Sequence, residues 1–473
     1  MQQSLDVAIT AVLQPTIIRD LGHISLFPFI GATYAICNAA LILLWGKLFM
    51  TFDSKSIFLI ARLFFAIGSA VSAAAPSMKV FIVGRAITGI GGGGTYLGVV
   101  IIITALTTLE EKGRYFGYIG FAWGIGTILG PLIGGAFAAS TAGWRWSYYF
   151  DLILVAMTLP IFVFMLRSTK TSYQRGFWDR IHALDLTGCA LFTCAFMSGM
   201  LAILFGGATF SWKSGPVIGL FGCLSILGVL FLLQQATATL TTRQDRVLPL
   251  HLLCSIDIWI LIAQVTCPGE TAFRSAISIL PFLVPCVTAM LVSGILIGIF
   301  KYYKIWFACG SVFQVLMAIC LYNTDVGTGH GKIYGYLIVG GVGAGLVVMN
   351  SGPIMSATVP KQDIKLAGTL FGYVDMISGA VSVGIANSIF LNRATARIQH
   401  LLPNAGKSIV QNAITGAGGS TATTLPPATK PLILRAIMES IKDIWVQLIA
   451  TASLALVLSL FMKKQKLKQI ASS

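Results

Sequence analysis

Long apolar runs separated by short polar loops dominate the order of hydrophobic and polar positions along the chain. A run of about 20 apolar residues crosses the hydrocarbon core of a bilayer as a helix. Two weaker runs, 3–18 and 252–267, are short or carry a polar interruption such as Gln264. The pattern predicts about fourteen transmembrane helices, of which the first and ninth are short or degraded. The clear runs are 29–50, 57–75, 80–105, 115–139, 146–166, 185–207, 215–237, 276–300, 305–322, 332–358, 366–391 and 441–462.

The composition supports the same class. Of 473 residues, 56% are hydrophobic and 10% are charged, whereas soluble domains carry about 25% charged residues. The nine cysteines are scattered through apolar stretches without a C-x-x-C pair, which argues against a disulfide framework and a zinc site. The sequence therefore predicts an all-α polytopic membrane protein with no metal and no cofactor.

The net charge of +16 raises the question of nucleic-acid binding. If the N-terminus lies inside, nineteen lysines and arginines fall on the cytoplasmic side and six in short outer loops, which is the bias that orients membrane helices. The charge therefore predicts two cytoplasmic termini and a lipid bilayer, rather than nucleic acid, as partner. It also favours a crossing at 252–267, since later basic loops would otherwise lie outside. The six outer residues are Arg19, Lys79, Arg145, Lys213, Arg274 and Lys332.

Loop lengths divide the chain into two groups of six helices with two helices between them. The long polar stretch near the C-terminal end contains the low-complexity run 416–424, for which we expect disorder. Its flanks, 396–402 and 432–441, are predicted to form short amphipathic helices at the outer surface. The predicted units are an N-terminal half (1–167), a cytoplasmic linker (168–184), two extra helices (185–237) and a C-terminal half (238–473) with an outer loop at 393–440.

Arg85 stands inside an apolar run, four residues before the glycine-rich stretch 89–94. A charge at the centre of a membrane helix costs roughly 2.5 to 3.5 kcal/mol on insertion scales, so it is expected to be paired or to face water. The alternative is a structural arginine that reaches an interface. The letters of 89–94 match a dinucleotide fingerprint, but no strand precedes them.

Asp6, on the first predicted helix of the same half, is the natural acidic counterpart of Arg85. A buried carboxyl group can load and release a proton near neutral pH. The alternative is a position at the cytoplasmic mouth.

Asp375 is a second carboxylate in an apolar run, in the other half. With Tyr373, Asn350 and Tyr336 it is a candidate for lining a substrate cavity, although a polar-lined wall is equally plausible.

The run 124–135 has glycines at helical intervals and a proline within an apolar stretch. Glycines at this spacing let a second helix approach closely, and a membrane helix tolerates proline where neighbouring helices satisfy the freed carbonyl. Two further patterns are the loop Trp45–Lys55, for which a solvated turn is the alternative, and the sequence Trp144-Arg145-Trp146. We interpret the second as structural. The residues of the glycine and proline pattern are Gly126, Gly130, Pro131, Gly134 and Gly135.

Together these motifs resemble the major facilitator superfamily, in particular its fourteen-helix drug:proton antiporter family of fungal toxin and secondary-metabolite pumps. The resemblance implies proton coupling through Asp6 and Arg85, and a conformational role for Gly46, Lys55 and the residues of the glycine and proline pattern. It also implies a monomer that exports amphipathic organic compounds in exchange for protons. The plasma membrane is the expected location, with a vacuolar or vesicular membrane as the alternative.

Several departures keep other functions open. Met50, Asp53 and Ser54 stand where the superfamily loop usually has an acidic residue, a glycine and a basic residue. The short run 252–267 and the brief start of the first helix lead us to expect a truncated chain. The alternatives are a non-transporting membrane relative and a passive facilitator or importer. No G-x-x-x-x-G-K-[ST] loop and no H-E-x-x-H motif occur, which argues against an ATP-driven pump and an enzyme.

Overall fold

The computed structural model describes residues 1–22, 26–166, 168, 176–207, 210–242, 245–253, 255–266, 280–300, 302–325, 327–360, 363–401 and 430–462. These residues are almost all helical. The helices are α1 (Gln2–Leu21), α2 (Phe27–Ala40), α3 (Ile42–Thr51), α4 (Ser54–Ala73), α5 (Met78–Leu106), α6 (Leu109–Ala139), α7 (Arg145–Met165), α8 (Phe177–His182), α9 (Leu186–Phe205), α10 (Gly215–Thr237), α11 (Leu250–Leu253), α12 (Ile256–Thr266), α13 (Leu280–Phe300), α14 (Lys304–Tyr322), α15 (His330–Val347), α16 (Ser351–Ala357), α17 (Ile364–Leu401) and α18 (Lys430–Phe461).

Twelve helical stretches in the described part of the chain are long and apolar enough to cross a membrane. They correspond to the twelve clear apolar runs, so the predicted class of an all-α polytopic membrane protein is confirmed. The two weaker runs are also helical. Helix α1 has 20 residues, whereas α12 has only 11, which agrees with the prediction of a short ninth helix.

The helices pack as two groups with a linker pair beside them. In the N-terminal group, α5 contacts α2, α3 and α4, while α6 lies against α1 and α7 against α4. In the C-terminal group, α15 packs against α13 and α14, and α18 packs against α14 and α17. Helices α9 and α10 pair with each other, and α9 touches α2 of the first group and α17 of the second. We call the end with Lys47 and Lys55 the basic end and the end with Trp144 the tryptophan end.

The glycine-rich stretch of α5 is the reason for its close packing. A Cβ on Gly89 would meet the backbone of Tyr34 in α2, and one on Gly91 would meet the backbone of Phe65 in α4. Because backbone atoms cannot move aside, these positions require glycine for the observed approach. The stretch therefore serves helix packing on both sides of α5.

A buried aspartate attaches the linker helices to the rest of the protein. Asp185 caps α9 by accepting a hydrogen bond of 3.1 Å from the Gly188 amide. It also accepts hydrogen bonds of 2.8 Å from Gln234 and Gln235 near the end of α10, and one of 3.2 Å from the Val247 amide. Its two oxygens thus join the start of α9, the end of α10 and the segment that leads into the C-terminal group.

The predicted outer loop 393–440 is shorter than expected, because α17 continues to Leu401 and α18 begins at Lys430. The two extensions are amphipathic and pack together through Phe390, Ile398 and Ile433. Arg397 adds an ion pair with Asp443, with its Nη1 atom 2.9 Å from a carboxylate oxygen. The flanks are therefore helical as predicted, but they continue the membrane helices. The low-complexity run lies outside the described residues.

Candidate functional site

Asp6 and Arg85 form an ion pair inside the N-terminal group. Arg85 Nη1 donates hydrogen bonds of 2.8 Å and 2.9 Å to the two carboxylate oxygens of Asp6. The relative exposure of the two side chains is 0% for Asp6 and 1% for Arg85. This burial is inconsistent with both alternatives that the sequence left open, which place Asp6 at the mouth of the bundle and Arg85 at an interface.

Aromatic rings complete the surroundings of the arginine. The guanidinium carbon of Arg85 lies 4.8 Å from the ring centre of Tyr34 in α2 and 5.8 Å from that of Tyr148 in α7. Cations are attracted to the faces of such rings, and more strongly where water is excluded. The Tyr148 hydroxyl shares a hydrogen bond of 3.0 Å with Thr10 of α1. Four helices, α1, α2, α5 and α7, therefore hold the pair in place.

The site contains a second aspartate and a second arginine that the sequence analysis did not place there. Asp151 of α7 is fully buried, and neither of its carboxylate oxygens accepts a hydrogen bond from a described protein group. Arg62 of α4 donates hydrogen bonds of 2.5 Å to Gln2 and 2.6 Å to Thr158. Gln2 in turn donates a hydrogen bond of 2.7 Å to the backbone oxygen of Asp151.

Both residues left a signal in the sequence. Asp151 is an acidic residue in the apolar run 146–166, which is the feature that singled out Arg85. Arg62 is one of the nineteen lysines and arginines that the charge pattern assigns to the cytoplasmic side, and it is buried in the bundle, eight residues after the start of α4. Sequence position alone cannot tell a helix end from a helix interior when the boundary is uncertain by a turn, so the burial of Arg62 required the structure.

Helix α6 carries its glycines on two different faces. Toward the basic end, a Cβ on Gly113 would lie 2.6 Å from the carbonyl oxygen of Gly294 in α13, and one on Gly120 would lie 2.6 Å from the sulfur of Met290. Toward the tryptophan end, a Cβ on Gly130 would lie 2.6 Å from Ala8 of α1. The glycine and proline pattern therefore faces α1 of its own group, while the earlier glycines face the other group.

Within the pattern the glycines are not equivalent. A Cβ on Gly126 would collide with Ser4, and one on Gly134 would be in ordinary contact with Ile9 at 3.4 Å. A Cβ on Gly135 would have no neighbour within 4 Å. Pro131 lies inside α6 without ending it. Only part of the pattern thus sets the approach of α6 to α1.

We predict that Gly130→Val lowers the stability of the protein, whereas Gly135→Val has little effect. The new side chain at position 130 would press on the backbone of Leu5 and Ile9, next to Asp6, and overpacking of this kind costs about 1 to 3 kcal/mol. The measurement is the unfolding temperature of each purified variant. Equal losses in both variants would contradict the contact geometry.

The predicted loop Trp45–Lys55 spans the end of α3, residues 52–53 and the start of α4, and it contacts both groups. A Cβ on Gly46 would collide with the hydroxyl of Tyr373 in α17, so the two groups touch at the basic end. Lys55 donates a hydrogen bond of 2.6 Å to the backbone oxygen of Val163 in α7. Asp53 caps α4 by accepting a hydrogen bond of 3.1 Å from the Ser56 amide. The departures from the superfamily pattern in this loop therefore still leave it ordered by capping and by contacts with α7 and α17.

The four candidate cavity residues fall into different surroundings. Tyr373 donates a hydrogen bond of 3.3 Å to the Leu43 backbone oxygen, and Asp375 accepts one of 2.5 Å from Tyr96 of α5. Both residues therefore join α17 to the N-terminal group. Asn350 is buried and donates a hydrogen bond of 2.8 Å to Ser293 of α13.

Tyr336 has a different neighbourhood from the other three candidates. It packs with Leu337 and Trp445 in a cluster between α15 and α18. Its place in the cavity set stays a prediction.

Trp144 and Trp146 have different environments. Trp146 is exposed, as expected for a residue at a membrane interface. Trp144 is buried, packs against Phe81 and donates a hydrogen bond of 2.7 Å to Asp20 at the end of α1. The pattern thus anchors the start of α7 to α1 and α5. Phe81, which packs on Trp144, lies about one helical turn before Arg85 on α5.

Comparison with known proteins fits this arrangement. The family model of the Major Facilitator Superfamily matches residues 3–386. The chain belongs to this superfamily. It is 32% identical to the MFS-type transporter pgmG of Aspergillus terreus, over 98% of this chain and 86% of the relative. It is 30% identical to the efflux pump DEP3 of Fusarium langsethiae, over 98% and 88%, and 32% identical to the MFS-type transporter patC of Penicillium expansum, over 98% and 89%.

A solved structure shows the same superfamily fold. The human organic anion transporter MFSD10 (TETRAN) superposes with a TM-score of 0.55 at 14% identity, covering 95% of this chain and 97% of the other. The protein is therefore a multi-pass membrane transporter of the Major Facilitator Superfamily rather than an enzyme. In the described part of the chain, no group of three histidine, cysteine, aspartate or glutamate side chains is placed to hold a metal ion.

Proposed function

We propose that this protein exports amphipathic organic molecules, of the kind made as fungal toxins or secondary metabolites, in exchange for protons. The observation that carries the proposal is the fully buried ion pair of Asp6 and Arg85 between α1 and α5. Buried charges within membrane helices are costly and mark ion or substrate pathways. The names of the related efflux pumps support the direction of transport.

Two groups of helices that meet around a central site allow alternating access, in which one group moves against the other. The contacts that would have to break lie where α6 meets α13, at Gly113 and Gly294, and where α17 meets α3 and α5, at Tyr373 and Asp375. We propose that Gly126 and Gly130 of the glycine and proline pattern support this movement by keeping α6 close to α1. Gly46 and Lys55 are proposed to support it through their contacts with α17 and α7.

Protons supply enough energy for such a two-state carrier. One charge moving across a potential of 100 mV releases roughly 2.3 kcal/mol, which is enough to shift the ratio of two states by more than tenfold.

We propose that the basic end faces the cytoplasm with both chain termini, that the protein acts as a monomer, and that it resides in the plasma membrane. The organisation is two six-helix halves with α9 and α10 between them.

The test is accumulation of a panel of amphipathic toxins in a drug-sensitive strain that lacks its own exporters. Expression of this protein is expected to lower accumulation of at least one compound severalfold, and a protonophore is expected to abolish the difference. Asp6→Asn is expected to behave like the protonophore, since it removes a charge from the buried site. Asp179→Asn, at an exposed position, is the matched control and is expected to export normally.

Three results would count against proton-coupled export. Unchanged accumulation of every compound, with the protein in the membrane, favours a non-transporting relative. Export that persists with the protonophore indicates a passive facilitator, and raised accumulation indicates an importer.

A further inference from the structure

Asp151 is the buried acidic group whose surroundings least favour a negative charge. Its side chain is 0% exposed, and none of the described donors reaches either carboxylate oxygen. Asp6, in the same site, receives two hydrogen bonds from Arg85. An ionised carboxylate in a low-dielectric interior is costly unless it is paired and hydrogen-bonded. Asp6 satisfies this condition and Asp151 does not.

The charges that act on Asp151 come from three helices, α1, α4 and α5. Asp6 of α1 repels an ionised Asp151, whereas Arg85 of α5 and Arg62 of α4 attract it. Tyr148, on the same helix, is bonded to Thr10. Both Nη atoms of Arg62 donate to the neutral acceptors Gln2 and Thr158, and both carboxylate oxygens of Asp6 accept from Arg85. The Nη donors named here are therefore engaged elsewhere, whereas the Nε atoms of both arginines are buried without a partner among the described groups, and the charges of both residues still act on Asp151.

Two carboxyl groups that share one site rarely ionise together, because the second charge must form beside the first. Both carboxylate oxygens of Asp6 accept hydrogen bonds from Arg85, which favours the negative charge on Asp6. If only one of the two groups is protonated, the proton therefore resides on Asp151. A proton held in this way becomes transferable once movement of the helices lets water reach the carboxyl group of Asp151.

We propose that Asp151 is the residue that carries the transported proton, and that the Asp6 and Arg85 ion pair is a fixed element that positions it. In the arrangement described here Asp151 is the neutral carboxylic acid. In the other state it releases H⁺ to water and becomes a carboxylate, with no bond changed other than O–H. The proposal rests on the proposed proton coupling and places its proton on α7 rather than on α1.

The test is infrared difference spectroscopy of the full-length protein in lipid, without any substrate. The spectrum of the wild type minus that of Asp151→Asn at pH 7 is expected to contain the C=O stretch of one buried carboxylic acid, with a shift in D₂O. Asp151→Glu keeps the acid and is expected to retain a band at a displaced frequency. The spectrum of the wild type minus that of Asp6→Asn is expected to contain mainly carboxylate bands. Asp179→Asn, at its exposed position, is expected to leave the acid band unchanged.

The opposite pattern would overturn the proposal. If the wild type minus Asp151→Asn spectrum contains carboxylate bands and no acid band, Asp151 is ionised and balanced by Arg62. If the acid band is lost in Asp6→Asn and kept in Asp151→Asn, Asp6 carries the proton. Should Asp151→Asn fail to fold, loss of the acid band from its original frequency in Asp151→Glu decides the question. Because the spectra require no transport, a failure here is distinct from a failure of proton-coupled export.

Discussion

Arg85→Ala is expected to abolish export and to destabilise the protein. The substitution leaves Asp6 buried with no cation beside it, and removing one partner of a buried ion pair costs about 3 to 5 kcal/mol. The measurement is the unfolding temperature of the purified variant together with toxin accumulation at equal protein level. Arg19→Ala is the matched control, since Arg19 lies on α1 but is exposed, and it is expected to leave both quantities unchanged.

A double variant separates the two effects of Arg85→Ala. Arg85→Leu combined with Asp6→Asn removes both charges, so the cost of an unpaired buried carboxylate disappears and most of the stability is expected to return. Export is not expected to return, because the charges that position Asp151 are gone. Recovery of export by the double variant would show that the ion pair serves stability alone.

Gly113→Val is expected to stop the transport cycle while leaving the protein folded. A Cβ at this position would lie 2.6 Å from the backbone oxygen of Gly294, and the reciprocal Cβ on Gly294 would lie 2.5 Å from that of Gly113. Each group can fold with a larger side chain, but the two can no longer meet at the basic end. An overpacking cost of about 1 to 3 kcal/mol changes the ratio of two states by roughly 5- to 150-fold.

The measurement is the distance between spin labels near the basic ends of α6 and α13, together with the export rate. The short distance of the joined arrangement is expected to lose most of its population in Gly113→Val. Gly135→Val, on the same helix with open space around it, is expected to keep the distribution and the rate of the wild type. A Gly113→Val protein with the wild-type distribution would contradict a mobile contact between α6 and α13.

The sequence by itself determined the class of the protein and most of its helices. Hydrophobic length is a local property, since every backbone group in a bilayer must be satisfied within its own helix, so the twelve clear runs appear as membrane helices. The low hydrophobicity of α1 and the shortness of α12 were visible for the same reason. The costs of burying Arg85 and Asp6 also depend on the side chains themselves, which is why the sequence pointed to both residues.

Only the tertiary structure decided which buried groups meet and which faces of the helices touch. Asp151 and Arg62 lie far from Asp6 in the chain, and their convergence depends on the packing of α1, α4 and α7. The sequence could not assign which helix contacts each face of α6, because a glycine permits close approach but does not specify which helix approaches. Whether Tyr336 faces a cavity or a neighbouring helix depends on the rotation of its helix, which is set by neighbours distant in the chain.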